Sequence, residues 1–284
     1  MKKTILIMFF ILLNIQLFSK VRKIDLRLIK ACKNGNIIAA KKLLNMGADV
    51  NAVNKNGFTA LHRACYNKHY IVIRLLLSYG AEINKKGKAG YTALMSAVLA
   101  KNNIRIVKLL VTNGADVNIK SDTGTTALIY SIDNGDINII KLLIKYGAKI
   151  NVKTKEGRTA LRYASCNGNI KITKLLIKKG ANVNSKDNDN WTPVMCAAGN
   201  GHASTVKVLV EHGANINIQA KRDGMSALMW ASFNGHLKVV KILIQNRVNV
   251  NLKSKSGSTA LNYAKMNGHA KIAFLLTKAA LRKK

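Results

Sequence analysis

The chain has little of several things that would narrow its function. Among 284 residues there is a single proline, Pro193, and no Ser/Pro-rich tract, which argues against a long linker between domains. Four cysteines, Cys32, Cys65, Cys166 and Cys196, in a chain this long are no dense disulfide framework. There is no Cys-x-x-Cys, no His-Glu-x-x-His and no Gly-rich phosphate loop, so no recognisable metal, redox or nucleotide chemistry is present. After the first nineteen residues no segment is apolar enough to span a bilayer. Acidic residues are scarce as well, with 12 Asp and Glu against 47 Lys and Arg, a formal charge of +35. Abundant Lys, Asn and Ile fit an AT-rich coding sequence, but that does not account for so few acids. A field this positive favours anionic partners: acidic proteins, anionic lipid surfaces or nucleic acid.

What is present begins with a leader. Lys2 and Lys3 precede an apolar run from Ile5 to Leu13 that continues with interruptions to Phe18, and Ser19 offers a small residue for cleavage. Residues 1–19 therefore read as a secretory signal peptide, with an uncleaved N-terminal anchor as the alternative because Leu17 and Phe18 are bulky. Either route implies export. In the remainder, an overall apolar content of 48% is enough for a real core.

That remainder repeats. Gly47-Ala48, Gly80-Ala81, Gly114-Ala115, Gly147-Ala148, Gly180-Ala181 and Gly213-Ala214 recur every 33 residues, once 34. Asn51, Asn84, Asn118, Asn151, Asn184, Asn217 and Asn251 each stand four positions after the glycine site, which Arg247 fills in the last case. A second block recurs in register, from Gly57-Phe-Thr-Ala-Leu61 to Gly257-Ser-Thr-Ala-Leu261. Its hydroxyls, Thr59, Thr92, Thr126, Thr159, Thr192, Ser226 and Thr259, are placed to cap a short helix. Pro193 falls at a first helical position, where the missing N–H costs nothing. A second helix carries apolar pairs such as Leu76-Leu77 and Leu176-Ile177, and the following glycine suits a left-handed turn. One such unit cannot bury its own apolar face, but a stack can.

These blocks resemble the ankyrin repeat, whose pattern runs Gly-x-Thr-Pro-Leu-His-x-Ala-Ala, a helix break, Val-x-x-Leu-Leu, Gly-Ala-x-x-Asn. The resemblance covers about residues 25 to 284 and implies an all-α ankyrin-repeat solenoid of stacked helix-turn-helix units joined by hairpin-like loops. It divides residues 20–284 into a partial N-cap unit (25–51), six repeats (52–251) and a C-cap unit (252–284), which Lys265, Asn267, Lys271 and Lys278 make polar. The departures are regular. Alanine replaces proline in most repeats, and His62 alone keeps the family's histidine, with Met95, Ile129, Arg162, Met195, Met229 and Asn262 standing there elsewhere.

No catalytic residues and no cofactor are expected. His69, His202, His236 and His269 share one position, a structural Gly-His site in the family. His62, Cys65 and His69 have metal-like spacing, but the helix should end near Asn67 and both histidines have structural explanations. Cys32 and Cys65 occupy equivalent positions about 10 Å apart, too far for a disulfide. With Cys166 and Cys196 at other positions, all four thiols are expected to be unpaired.

Two surfaces remain for a partner. Phe58, Tyr91, Arg158 and Trp191 precede the capping hydroxyls, and Arg63, Tyr66 and Phe233 lie along the first helices. Such aromatic and arginine side chains suit an interface core, whereas Tyr130, Tyr163, Trp230 and Tyr263 fit packing between repeats. Lys41, Arg74, Lys108, Lys141, Lys174, Lys207 and Lys241 share one outward position on the second helices. That basic ladder is either a solvated face or a docking surface for an anionic membrane or other anionic surface. No motif for specific nucleic-acid recognition is present. The expected function is a non-enzymatic, monomeric protein-binding scaffold for a partner with an acidic surface. It is similar to bacterial ankyrin-repeat proteins exported to the periplasm or envelope or secreted, and the alternative is a basic adaptor docked on anionic surfaces.

Overall fold

The computed structural model describes residues 23–281. The leader, residues 1–19, lies outside the described residues. Among these the chain is all helical, with sixteen α-helices, one 3-10 turn and no strand. The helices come in pairs: α1 (23–33) with α2 (Ile37–Asn45), α3 (Ala60–Tyr66) with α4 (Tyr70–Ser78), α5 (Ala93–Leu99) with α6 (Ile104–Thr112), α7 (Ala127–Asn134) with α8 (Ile137–Lys145), α9 (Ala160–Cys166) with α10 (Ile170–Lys178), α11 (Pro193–Gly199) with α12 (Ala203–Glu211), α13 (Ala227–Phe233) with α14 (Leu237–Gln245), and α15 (Ala260–Met266) with α16 (Ala270–Leu281). Two compact units result. One runs to Tyr130 and includes 145–147, and the other holds 131–144 and 148 onward.

Each unit is built by stacking in chain order. In the first, α3 packs on α5 and α2 on α4; in the second, α9 packs on α11, α11 on α13 and α13 on α15, while α10, α12, α14 and α16 pack in series. The buried positions are those the repeat predicts. Leu61, Ala64 and Leu76 in the first unit, and Leu161, Ala164 and Leu176 in the second, are at most 1% exposed. Truncating such a leucine to alanine costs about 2–5 kcal/mol.

The capping hydroxyls behave as expected in six repeats. Thr59, Thr92, Thr159, Thr192, Ser226 and Thr259 each accept a hydrogen bond from the backbone N–H three residues on. Thr126 departs from the pattern, its buried Oγ1 having no hydrogen-bond partner. The family's histidine doubles the cap at His62, and Asn262 reproduces this with its Oδ1, which accepts from Thr259 N at 2.9 Å and from Thr259 Oγ1 at 2.7 Å.

Polar ties join successive repeats at two levels. The recurrent asparagine is one of them. Asn84 Nδ2 donates to Gly114 O at 3.2 Å while its Oδ1 accepts from Asp116 N at 2.8 Å. Asn151 and Asn184 do the same to Gly180 and Asn182, and to Gly213 and Asn215. The other tie is the Gly-His site. His202 Nε2 reaches back to Cys166 O at 2.9 Å, and its ring lies on Gly168, where a Cβ would stand 2.5 Å from Nδ1. His69, His236 and His269 reach Lys33 O, Gly199 O and Phe233 O in the same way.

Two expectations need correction. Cys166 and Cys196 are joined in a disulfide, with Cα atoms 4.9 Å apart. They occupy different repeat positions, but Cys196 sits one helical turn earlier on α11 than the counterpart of Cys166 on α9, and that offset brings them face to face between adjacent first helices. Cys32 and Cys65 are free and buried, and burial pushes the Cys32 thiol up to about 12 and the Cys65 thiol higher still. The last unit is also less polar than expected, because Met266, Phe274 and Leu281 are 75%, 70% and 68% exposed.

The disulfide closes a loop of 30 residues. Thiol titration of the denatured, unreduced protein should therefore find the two thiols of Cys32 and Cys65. Cys166→Ser should lower the unfolding free energy by about 2–4 kcal/mol in denaturant melts under oxidising conditions. With reductant present the two proteins should melt alike; a variant as stable as the parent under both conditions would show that the bridge does not form.

Candidate interaction surface

The hairpin-like loops are closed by backbone hydrogen bonds that place the residue before each cap. Asn54 N donates to Phe58 O at 3.1 Å, Gly87 N to Tyr91 O at 2.7 Å, Thr154 N to Arg158 O at 3.0 Å and Asp187 N to Trp191 O at 3.0 Å. Neighbouring tips are tied as well, Asp122 N to Ala89 O in the first unit and Asn188 N to Glu156 O in the second. The side chains ahead of the caps are thus presented by a hydrogen-bonded scaffold.

In the first unit four residues singled out from sequence meet. Phe58, Arg63, Tyr66 and Tyr91 surround a cavity of about 220 Å³, with His62, Ser96 and Leu99 completing it. The Arg63 guanidinium lies over the Phe58 ring, 4.7 Å from its centroid, a cation–π arrangement. Phe58 in turn meets the His62 ring at 5.7 Å. Tyr66 is 54% exposed at the rim. Tyr91 stacks on Tyr130 at 5.5 Å, and the two hydroxyls share a hydrogen bond at 3.0 Å. That hydrogen bond, with burial, pushes the Tyr91 phenol up to about 12, so it stays neutral.

His62 joins the cap to the site. Its Nε2 lies 2.9 Å from Tyr91 O, a carbonyl that can only accept, so the proton sits on Nε2. Nδ1 accepts from Thr59 Oγ1 at 2.8 Å and Thr59 N at 3.4 Å. Burial holds its pKa below the usual histidine value, with the Tyr91 carbonyl opposing and Arg63 adding to the shift. With both nitrogens engaged, and His69 bonded to Lys33 O, the metal-like spacing of His62, Cys65 and His69 is accounted for by structure. Among the described residues no cluster of three His, Cys, Asp or Glu is arranged to hold a metal ion.

The second unit carries the other candidates. Trp191, Trp230, Phe233 and Tyr263 run ring to ring at 5.2, 6.1 and 6.0 Å. Trp230 and Tyr263 thus pack between repeats as expected, while Phe233 is 40% exposed. Arg158 is half-buried and its Nε has no hydrogen-bond partner. The neighbouring Arg162 pairs with Asp187 at 3.1 Å without hydrogen-bond alignment; burial lowers its pKa and Asp187 opposes that.

The ladder is exposed throughout. Lys41, Arg74 and Lys108 stand out from α2, α4 and α6 in the first unit, and Lys141, Lys174, Lys207 and Lys241 from α8, α10, α12 and α14 in the second. Among the described residues only Lys207 of this set has an ion pair, to Glu211 at 3.9 Å. Sequence reasoning missed Leu99 and the cavity role of His62. Periodicity marks both as helix positions on the first-helix side but says nothing of the space between neighbouring repeats.

Comparison with curated proteins finds no match. A family model described as ankyrin repeats (3 copies) matches residues 28–121, 94–187, 132–221, 182–254 and 219–283.

The His62 geometry predicts a pH effect. A histidine whose folded pKa lies below its unfolded value leaves stability intact above about 6.5 and loses it as pH falls, because the unfolded chain takes up the proton first. His62→Asn keeps the capping geometry that Asn262 shows and removes this linkage. Between pH 7 and 5 the wild type should lose stability with a slope up to about 1.4 kcal/mol per pH unit steeper than the variant's. Denaturant melts across that range check it, and parallel profiles would contradict the assignment.

Proposed function

The chain belongs to the ankyrin-repeat family, and from that membership we propose that it is a non-enzymatic scaffold that binds another protein through its hairpin loops and first helices. The observation that carries the reading is the meeting of Phe58, Arg63, Tyr66 and Tyr91 from successive repeats around one cavity. Aromatic and arginine side chains held by a rigid frame are what interface centres use. The ring series ending in exposed Phe233 offers a further contact area in the second unit. A charge of +35 favours a partner with an acidic surface.

Export forms part of the proposal, in the manner of bacterial proteins that work in the periplasm, the envelope or outside the cell. The leader at residues 1–19 supports it. So does the Cys166–Cys196 disulfide, since disulfides persist in oxidising compartments and are rare in the cytosol. The ladder favours a second reading, docking on an anionic membrane or similar surface, because its members are exposed and, among the described residues, all but Lys207 are in no ion pair.

Fractionation with N-terminal sequencing tests export: the chain should leave the cytoplasm, either cut near residue 20 or whole as an anchored form. A soluble cytoplasmic chain beginning at Met1 would end that part. For binding, pull-down from the same compartment should recover a saturable protein partner that Tyr66→Asp with Phe233→Asp abolishes. The second reading predicts retention on acidic vesicles that fades steeply between about 0.05 and 0.5 M salt; retention indifferent to salt would discard it.

A further inference from the structure

The cavity of the first unit restricts what a partner can present to it. Its volume is about 220 Å³, and a dry apolar cavity of about 150 Å³ is enough for benzene. One phenyl- or leucine-sized side chain therefore fits. Its lining is mostly apolar, from Phe58, Tyr66, Tyr91 and Leu99, and the Ser96 hydroxyl beside them is already spent on Thr92 O at 3.1 Å. His62 contributes no free polar atom, because Nδ1 is taken by Thr59 and Nε2 by Tyr91 O. The Tyr91 hydroxyl is already engaged with Tyr130.

Arg63 is the one charged group in the wall. Its guanidinium rests on the Phe58 ring, and among the described residues no carboxylate pairs with it. A guanidinium fixed on a ring face keeps its planar fork of N–H donors available and loses little freedom when a carboxylate arrives. An apolar slot next to an unclaimed fork of positive charge is thus a two-part recognition element.

We propose that this cavity is an anchor site for a protein segment that carries an aromatic or branched aliphatic side chain beside a carboxylate, the side chain filling the slot and the carboxylate bridging to Arg63. This deepens the scaffold reading and rests on it. Charge complementarity selects the occupant: the chain as a whole is strongly positive, and a cationic neighbour to the anchoring side chain would face Arg63 directly. Tyr66, exposed at the rim, closes over the bound side chain and excludes water from the ion pair, which strengthens it.

The test uses small probes on the full chain. By ligand-observed NMR, 3-phenylpropionate should bind saturably with a dissociation constant on the order of 1 mM, as expected for a ligand this small. 3-Phenylpropylamine has the same ring and chain length with opposite charge, and should bind at least ten-fold more weakly. Arg63→Ala should weaken the propionate at least ten-fold, and Arg63→Lys should give an intermediate loss. Leu99→Trp should block both probes by filling the slot. Circular dichroism melts confirm that each variant is folded, and the wild-type comparison of the two probes needs no variant at all. Equal binding of the two probes, propionate binding indifferent to Arg63→Ala, or tighter binding of AMP than of the propionate would overturn the proposal. If probe binding fails while the chain still captures a partner sensitive to Phe233→Asp, the anchor site is wrong and the scaffold reading stands. If no saturable partner is found but the probe discriminates, the anchor site stands alone.

Discussion

A helix pair of this chain is too small to keep its own leucines dry. In the internal pairs the first helices have seven or eight residues and the second helices nine, too short to be stable in isolation in water. What makes them stable is contact with the next pair. Leu76, Leu176, Leu209 and Leu243 are completely shielded because the second helices stand between neighbours. Stability is then largely a sum of repeat and interface terms, and within each unit loss of one interface weakens the pairs on both sides of it.

The hydrophobic contact alone would let neighbouring pairs slide, since apolar burial has no direction. Direction comes from the polar ties. An asparagine that both donates to and accepts from the next loop fixes the offset between repeats, and a histidine ring seated on a glycine fixes it again at the other end of the pair. Each such hydrogen bond contributes about 1 kcal/mol, small beside a buried leucine, but its geometry permits one register only. The Cys166–Cys196 bridge is a covalent version of the same restraint. It lies where Cys166 O already accepts from both His202 and Asn200.

How much of this the sequence discloses follows from what recurs. The helix pairs, the capping hydroxyls, the buried first member of each apolar pair and the structural role of His69, His202, His236 and His269 all recur, so one molecule contains several copies of the signal. Features that occur once are poorly legible. The disulfide was hidden because equivalence by repeat position is the wrong test for facing helices displaced by a turn. The missing partner of Thr126 leaves no trace in a pattern that Thr126 itself obeys. The cavity was half visible: Phe58, Arg63, Tyr66 and Tyr91 stand out by residue type and position, but that they face one another, with Leu99 behind them, depends on the spacing of two neighbouring repeats. The fixed asparagine was legible as a pattern and not as a mechanism.

Stability and recognition are therefore carried by different atoms of the same repeat. Seams between pairs are filled by leucine, alanine and the asparagine and histidine ties, which nearly every repeat needs and which leave little room for variation. The positions ahead of the caps and along the exposed side of the first helices bear far less of that burden, and there the residues differ from repeat to repeat: Phe58, Tyr91, Thr125, Arg158, Trp191, Met225 and Ser258 occupy one site. Variation confined to positions outside those ties is how a regular scaffold acquires an irregular surface. A cavity walled by two neighbouring repeats can then have a shape and charge that neither repeat has alone. His62 is the exception, holding the cap of α3, reaching the next loop and lining the cavity at once, so the frame and the surface are coupled through that one side chain.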